Sequence, residues 1–180
     1  MLSPTTLGSV RPRIAGCFRS QALAIAGIER QLETWKSFSP RSGMSALAIV
    51  DAGPLYAAAD ADDLDHEASV ATLSRGDLRL IVPALVIAEA TYFVGRRLGA
   101  LAESQFLRGL GTFDVEAPTS DDFGRIAELV EAYADFPLGG TDASAVALAE
   151  RLGAPIIITL DRRHFSALRP HHRDAFELLP

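Results

Sequence analysis

Short apolar runs, most of them without polar alternation, recur along this chain and are separated by longer stretches with helical spacing. Residues 47–50, 78–82, 112–116 and 155–160 read as strands, the last of them β-branched on both sides, and residues 176–179 as a final edge strand. A strand that is apolar on both faces has to be covered on both faces. The intervening stretches carry helix punctuation. Pro83 suits the first turn of a long helix. Residues 119–134 begin with Thr119 or Ser120 as a cap and acids in the first turn. Residues 141–152 close on Gly153, where a helix C-terminus favours glycine. Strands and helices alternating in this way imply a mainly parallel central sheet between helical layers, a three-layer α/β/α sandwich.

The first 43 residues do not share this pattern. Ser, Pro, Thr and Arg are mixed there, with one loosely helical piece at residues 20–35 and a linker-like SPRSG at 39–43. They read as a poorly ordered N-terminal extension or as the product of an over-long reading frame, with Met44 as the natural start and residues 44–180 as the folded domain.

Charge sharpens the division. Residues 1–43 hold six basic groups against Glu29 and Glu33, a net +4, so the rest of a chain whose total is −6 carries −10. A domain this acidic does not bind polyanions through bulk electrostatics, and any contact with nucleic acid has to be local. Lys36 is the only lysine. A single cysteine, Cys17, excludes a disulfide scaffold and a thiolate zinc cluster and suits a cytoplasmic location. The longest apolar candidate, residues 83–94, is interrupted by Glu89 and falls short of the ~20 residues a membrane span needs.

Four carboxylates sit at the turning points of the apolar pattern. Asp51 directly follows the first strand in IVDAGPL, and Glu89 interrupts the helical LVIAEATYFV. Asp142 opens a helix in LGGTDASAVALAERLG, and Asp161 lies just beyond the β-branched run in IIITLDRRHF. Burying an isolated carboxylate costs several kcal/mol unless a partner compensates. Four of them point to a shared positive partner, best met by a hard divalent cation. In open α/β sheets ligands bind beyond the carboxyl ends of the strands, which is where Asp51 and Asp161 belong. Taken singly, each acid keeps a plainer reading. Asp142 alone is a first-turn acid favoured by the helix dipole. Glu89 alone is a surface residue between buried stripes, although Ala84, Ala88 and Ala90 allow a close approach there.

In order and spacing, with successive acids 38, 53 and 19 positions apart, these segments resemble the PIN-domain ribonucleases, and most of all the VapC toxins of bacterial type II toxin–antitoxin pairs. The resemblance covers residues 45–180. It implies a metal-dependent endoribonuclease that cleaves structured RNA of the tRNA or rRNA class by metal-activated water. Asp51, Glu89, Asp142 and Asp161 are then the catalytic acids around one or two Mg²⁺ or Mn²⁺ ions. Asp51 and Asp142 are the direct ligands, Asp161 completes the metal set directly or through water, and Glu89 acts through water or by orienting the others. Arg162, Arg163 and Thr159 are the expected substrate contacts, although Thr159 also reads as a hydrogen-bond partner of a site carboxylate or as an ordinary strand residue. Arg96 and Arg97 read as helix C-terminal cations, and none of the histidines enters the site: His66 and His164 are surface or capping residues. The resemblance also implies a homodimer and a VapB-like antitoxin partner. One departure stands out. Family members commonly carry Thr or Ser after the first Asp, where this chain has Ala52, which removes one hydroxyl near the metal.

Other α/β chemistries fail on residues. An aspartate-nucleophile phosphatase needs a second Asp two positions after the first, and Gly53 stands there. A phosphoacceptor receiver needs a lysine near its last strand, and no G-x-G-x-x-G follows the first strand. The non-enzymatic alternative is a catalytically silent binding module whose acidic pocket docks a basic residue of a partner.

Overall fold

The computed structural model describes residues 45–136 and 138–180. The helical piece, the linker and the start expected within residues 1–44 lie outside the described residues. Five strands, β1 (Ala46–Val50), β2 (Leu78–Pro83), β3 (Asp114–Glu116), β4 (Ile156–Ile158) and β5 (Glu177–Leu179), form one sheet in the order β3-β2-β1-β4-β5. Every adjacent pair is parallel, with β1 central: Ala48 opposes both Leu80 and Ile156.

The helices follow as α1 (Ala52–Ala59), α2 (His66–Leu73), α3 (Ala84–Leu98), α4 (Ala100–Leu110), α5 (Ser120–Ala132), α6 (Gly140–Leu152) and α7 (Arg162–Ala167). Period-2 geometry splits each strand between two cores. Ala48, Val50, Val82, Ile156 and Ile158 face α1–α4, joined by Leu55, Val86, Ala90 and Phe106. Ile49, Ile81 and Ile157 face the other way, onto Leu129, Val146, Leu148, Phe165 and Leu168 of α5–α7 and the segment after α7. Crossovers of one hand produce this layering. The chain steps outward from β1 to β3 with helices on one face, then returns through β4 to β5 with helices on the other. The result is the three-layer α/β/α sandwich expected from the sequence.

Several boundaries differ from the sequence reading. Asp51-Ala52-Gly53-Pro54, which closes β1, runs on without a turn. It opens α1, because proline is tolerated in a first helical turn and the Ala52 N–H donates to Asp51 Oδ1 at 2.7 Å. Pro83 ends β2 as the cap of α3 and does not enter the helix. Thr112 belongs to the turn after α4, where its N–H and Oγ1 both donate to the Gly109 carbonyl, so β3 starts at Asp114. The cap of α5 is Thr119, in a reciprocal capping box with Asp122. Gly153 takes φ 65°, the left-handed conformation that a Cβ would strain.

Glu150 ties the second core together. It accepts from Arg125 Nε at 2.8 Å, from Arg125 Nη2 at 3.0 Å and from the His171 N–H at 2.8 Å, so α5, α6 and the C-terminal loop meet on one carboxylate. Glu150→Ala is expected to lower unfolding stability by about 2 kcal/mol, because it leaves the half-buried Arg125 guanidinium with only the exposed Glu128 and removes the acceptor of a backbone donor. A loss of less than about 0.5 kcal/mol in urea denaturation would show that solvent replaces these bonds.

Candidate active site

The chain leaves β1 toward one edge of the sheet and reaches β4 only on its return, so the β1–β4 junction is the topological switch point, where open α/β sheets bind ligands. Asp51 follows β1 and Asp161 lies just beyond β4. Thr159 connects them. It is 1% exposed, its hydroxyl donates to Asp51 Oδ2 at 2.8 Å, and the same oxygen accepts from the Asp161 N–H at 2.9 Å. Thr159 thus makes the hydrogen bond to a site carboxylate that its place in the sequence allowed, and its hydroxyl links Asp51 to the backbone of Asp161. Asp51 is 6% exposed and continues the ladder by donating its N–H to the Ile158 carbonyl at 2.9 Å. Thr159→Val keeps the β-branched shape but removes this link. Activity is expected to fall about 10–100-fold, with stability lower by about 1–3 kcal/mol because Asp51 loses one of its two hydrogen-bond donors. An unchanged pair of values would exclude a positioning role.

Asp142 enters from α6, in its first turn, and Glu89 from α3, which packs against α6. The four charges feel one another. Burial raises the pKa of Asp51 against the opposing hydrogen bonds from Thr159 and Ala52, and the charges of Glu89 and Asp161 add to the rise. Asp142 is pushed up to about 6, first by burial, then by Asp51 and Glu89, and to a smaller extent by Asp161, while the Gly139 backbone N–H works the other way. Such mutual repulsion requires proximity. The structure therefore gathers the four acids, drawn from four separate segments, into one acidic basin.

Asp161 behaves differently. Burial would raise its pKa, but the His164 backbone N–H, the His164 imidazole and the charge of Arg163 hold it below the ordinary range. Asp161 caps α7: its Oδ1 accepts from the His164 N–H at 3.0 Å, and its Oδ2 meets His164 Nδ1. His164 in turn packs edge-on against Phe136 with ring centroids 4.7 Å apart, and the Arg163 guanidinium lies 5.9 Å from the Phe136 centroid. Sequence reasoning missed His164 and Phe136 as neighbours of the site. The available signal was Asp-x-x-His, the spacing from a helix cap to its third residue. Arg162 Nη1 donates to the carbonyls of Leu178 at 3.3 Å and Pro180 at 2.6 Å, at the end of the neighbouring strand β5. Arg97 stacks over Tyr56 and Phe93 at the far end of α3.

The donor set suits a hard divalent cation. It offers oxygen only, and neither Glu89 nor Asp142 has a basic partner among the described residues. Among those residues no three Asp, Glu, His or Cys side chains converge into a closed cage as they stand. Asp51 and Asp161 spend their oxygens on Ala52, Thr159 and His164, which leaves an open basin that an ion would draw together.

Residues 48–169 match the family model of the PIN domain. Over 134 residues the chain is 37% identical to Ribonuclease VapC26 of Mycobacterium tuberculosis, an alignment that spans 73% of this chain and 99% of that protein. The crystal structure of Mycobacterium tuberculosis VapC20, described as a Sarcin-Ricin loop cleaving toxin, superposes with a TM-score of 0.61 at 20% identity, covering 67% of this chain and 94% of that one. VapBC2 from Rickettsia felis, bound to a DNA fragment from its promoter, gives a TM-score of 0.58 at 13% identity over 74% of this chain and 99% of that one. At those identities the two structures speak for the fold.

Proposed function

The chain belongs to the PIN-domain family, among the VapC-type ribonucleases, and from that premise we propose that it is a divalent-metal-dependent endoribonuclease acting as the toxin of a toxin–antitoxin pair. One observation carries the reading: four carboxylates from separate segments share a basin at the switch point of the sheet, with Asp142 pushed up to about 6 and no basic partner at Glu89 or Asp142 among the described residues. Asp51 and Asp142 would hold the ion directly, Asp161 directly or through water, and Glu89 would order the outer ligands. When bound, Mg²⁺ or Mn²⁺ supplies Lewis-acid polarisation of a water and of the phosphodiester.

The chain's own groups have distinct parts. Thr159 fixes Asp51 and the backbone of Asp161 in register, so the acidic edge is rigid before substrate arrives. Arg163 is exposed, lies near Asp161 and has no ion pair among the described residues, so it is placed to meet a phosphate. Arg162 secures β5 through the carbonyls it contacts. Chemically, a water oxygen bonds to phosphorus, one ester P–O bond breaks, and the departing oxygen takes a proton. Residues 44–180 carry a net −10 and offer no bulk electrostatic attraction to a duplex, which favours an exposed single-stranded loop within a structured RNA of the tRNA or rRNA class. The likeness to VapC26 supports a VapB-like antitoxin as partner; a second copy of this chain and a cytoplasmic location complete the proposed reading. Among the described residues no helix is long and apolar enough to cross a membrane.

Incubation of the full chain with total cellular RNA in Mn²⁺ or Mg²⁺ tests this reading. Discrete fragments without 2′,3′-cyclic phosphate ends are expected, because water and not the 2′-hydroxyl is the nucleophile. Cyclic ends would overturn the mechanism. Intact RNA would favour the silent binding module, a reading supported by the internal engagement of the Asp51 and Asp161 oxygens.

A further inference from the structure

We propose that Phe136, Arg163 and His164 form a stacking platform beside the carboxylates that takes one unpaired nucleobase of the substrate. The proposal rests on the ribonuclease reading and adds to it a subsite that phosphate chemistry alone does not require. The three planar groups come from two segments. Phe136 precedes the loop into α6, which carries Asp142, while Arg163 and His164 form the first turn of α7, capped by Asp161. They meet where those two acids are approached. His164 is fixed twice, through its N–H and its Nδ1 on Asp161, and holds the Phe136 ring at 69° with centroids 4.7 Å apart. Arg163 lies over Phe136 at 5.9 Å and is exposed, and neither Phe136 nor His164 is buried.

Packing explains this cluster incompletely. A chain with 23 acidic residues offers Arg163 many ion-pair partners, yet among the described residues it pairs with none and lies over an aromatic ring instead. Aromatic and guanidinium planes are the surfaces on which unpaired bases stack. A platform whose histidine touches Asp161 would hold a base within a nucleotide's reach of the acids, setting which phosphate lies over them. A base contact of this kind also gives an acidic protein affinity that does not depend on a positive surface.

The test uses the full chain carrying Asp142→Asn, in Mg²⁺, so that RNA stays intact. Short single-stranded oligoribonucleotides with 2-aminopurine at successive positions are titrated, alongside oligonucleotides abasic at the same positions. Quenching is expected at one position, with the base-bearing RNA bound about tenfold more tightly than its abasic counterpart. Phe136→Leu, which keeps apolar bulk, and Arg163→Gln should each remove most of that preference. Equal affinity for abasic and base-bearing RNA, or a preference that survives both substitutions, overturns the proposal. A thermal midpoint for Phe136→Leu establishes that the variant is folded, and exposed Arg163→Gln decides if it is not. The nuclease reading fails separately: cleavage by the wild type without base preference removes the platform alone, while base preference without cleavage removes the nuclease alone.

Discussion

Asp142→Asn is expected to lower RNA cleavage by about 10³-fold or more while raising the thermal midpoint of the metal-free protein. The loss follows from the proposed role of Asp142 as a direct metal ligand, since single deletions of cooperating groups are severe. The gain follows from the same charge. Folding lifts the Asp142 pKa from the ordinary 3.8 to about 6, through burial and then through Asp51 and Glu89. The folded state therefore prefers the protonated form. Its destabilisation is absent below pH ~4, grows as pH rises toward about 6, and is complete above that. Unscreened, such a shift corresponds to about 3 kcal/mol. For a side chain partly open to solvent, about 1–2 kcal/mol remains. In chelator at pH 7 the variant should melt higher by several degrees, on the order of 3–8 °C, and at pH 4 the two proteins should converge. Saturating Mg²⁺ should reverse the order, because the ion stabilises the chain that binds it. A lower midpoint for the variant in chelator at pH 7 would make Asp142 a structural first-turn acid.

Ile157→Ala is expected to cost about 3–5 kcal/mol. Ile157 is wholly buried in the middle of a strand only three residues long, facing the core of α5–α7 with Ile49, Phe165 and Leu168. Its neighbours belong to a sheet paired on both sides, so the cavity cannot collapse without shifting β1 or β5. The midpoint should fall by about 10 °C or more. Activity should fall with it near that temperature, since Thr159 and Asp161 hang on the end of the same strand. Val115→Ala provides the contrast: Val115 is 47% exposed on the edge strand β3, and its loss should stay within about 0.5 kcal/mol. A cost below about 1 kcal/mol for Ile157→Ala would mean that β4 is not the element holding the site.

What the sequence made legible follows the same physics. β1, β2 and β4 lie between two helical layers, so they read as apolar runs whose alternate residues enter different cores. The caps at Thr119 and Gly153 were legible because their chemistry is local. The helix α1 was hidden by Gly53 and Pro54, which look like a turn unless the chain is known to enter a helix at once. The six-residue α7 buries only Phe165 and has too little periodicity to be seen, so the Asp161–His164 contact was out of reach. The Asp51–Thr159 hydrogen bond spans 108 positions, and the Phe136–His164 contact also depends on the fold. The four acids were recognisable as a set because each departs from its apolar surroundings. Their different states, with Asp142 raised and Asp161 lowered, depend on neighbours that no spacing reveals.

The most direct measurement compares full-chain wild type and Asp142→Asn on the same RNA, each with Mn²⁺ and each with EDTA. The carboxylate basin predicts cleavage in one arm alone, wild type with the divalent ion. Cleavage that persists in EDTA, or in Asp142→Asn with Mn²⁺, would contradict a metal-dependent site built on these four acids.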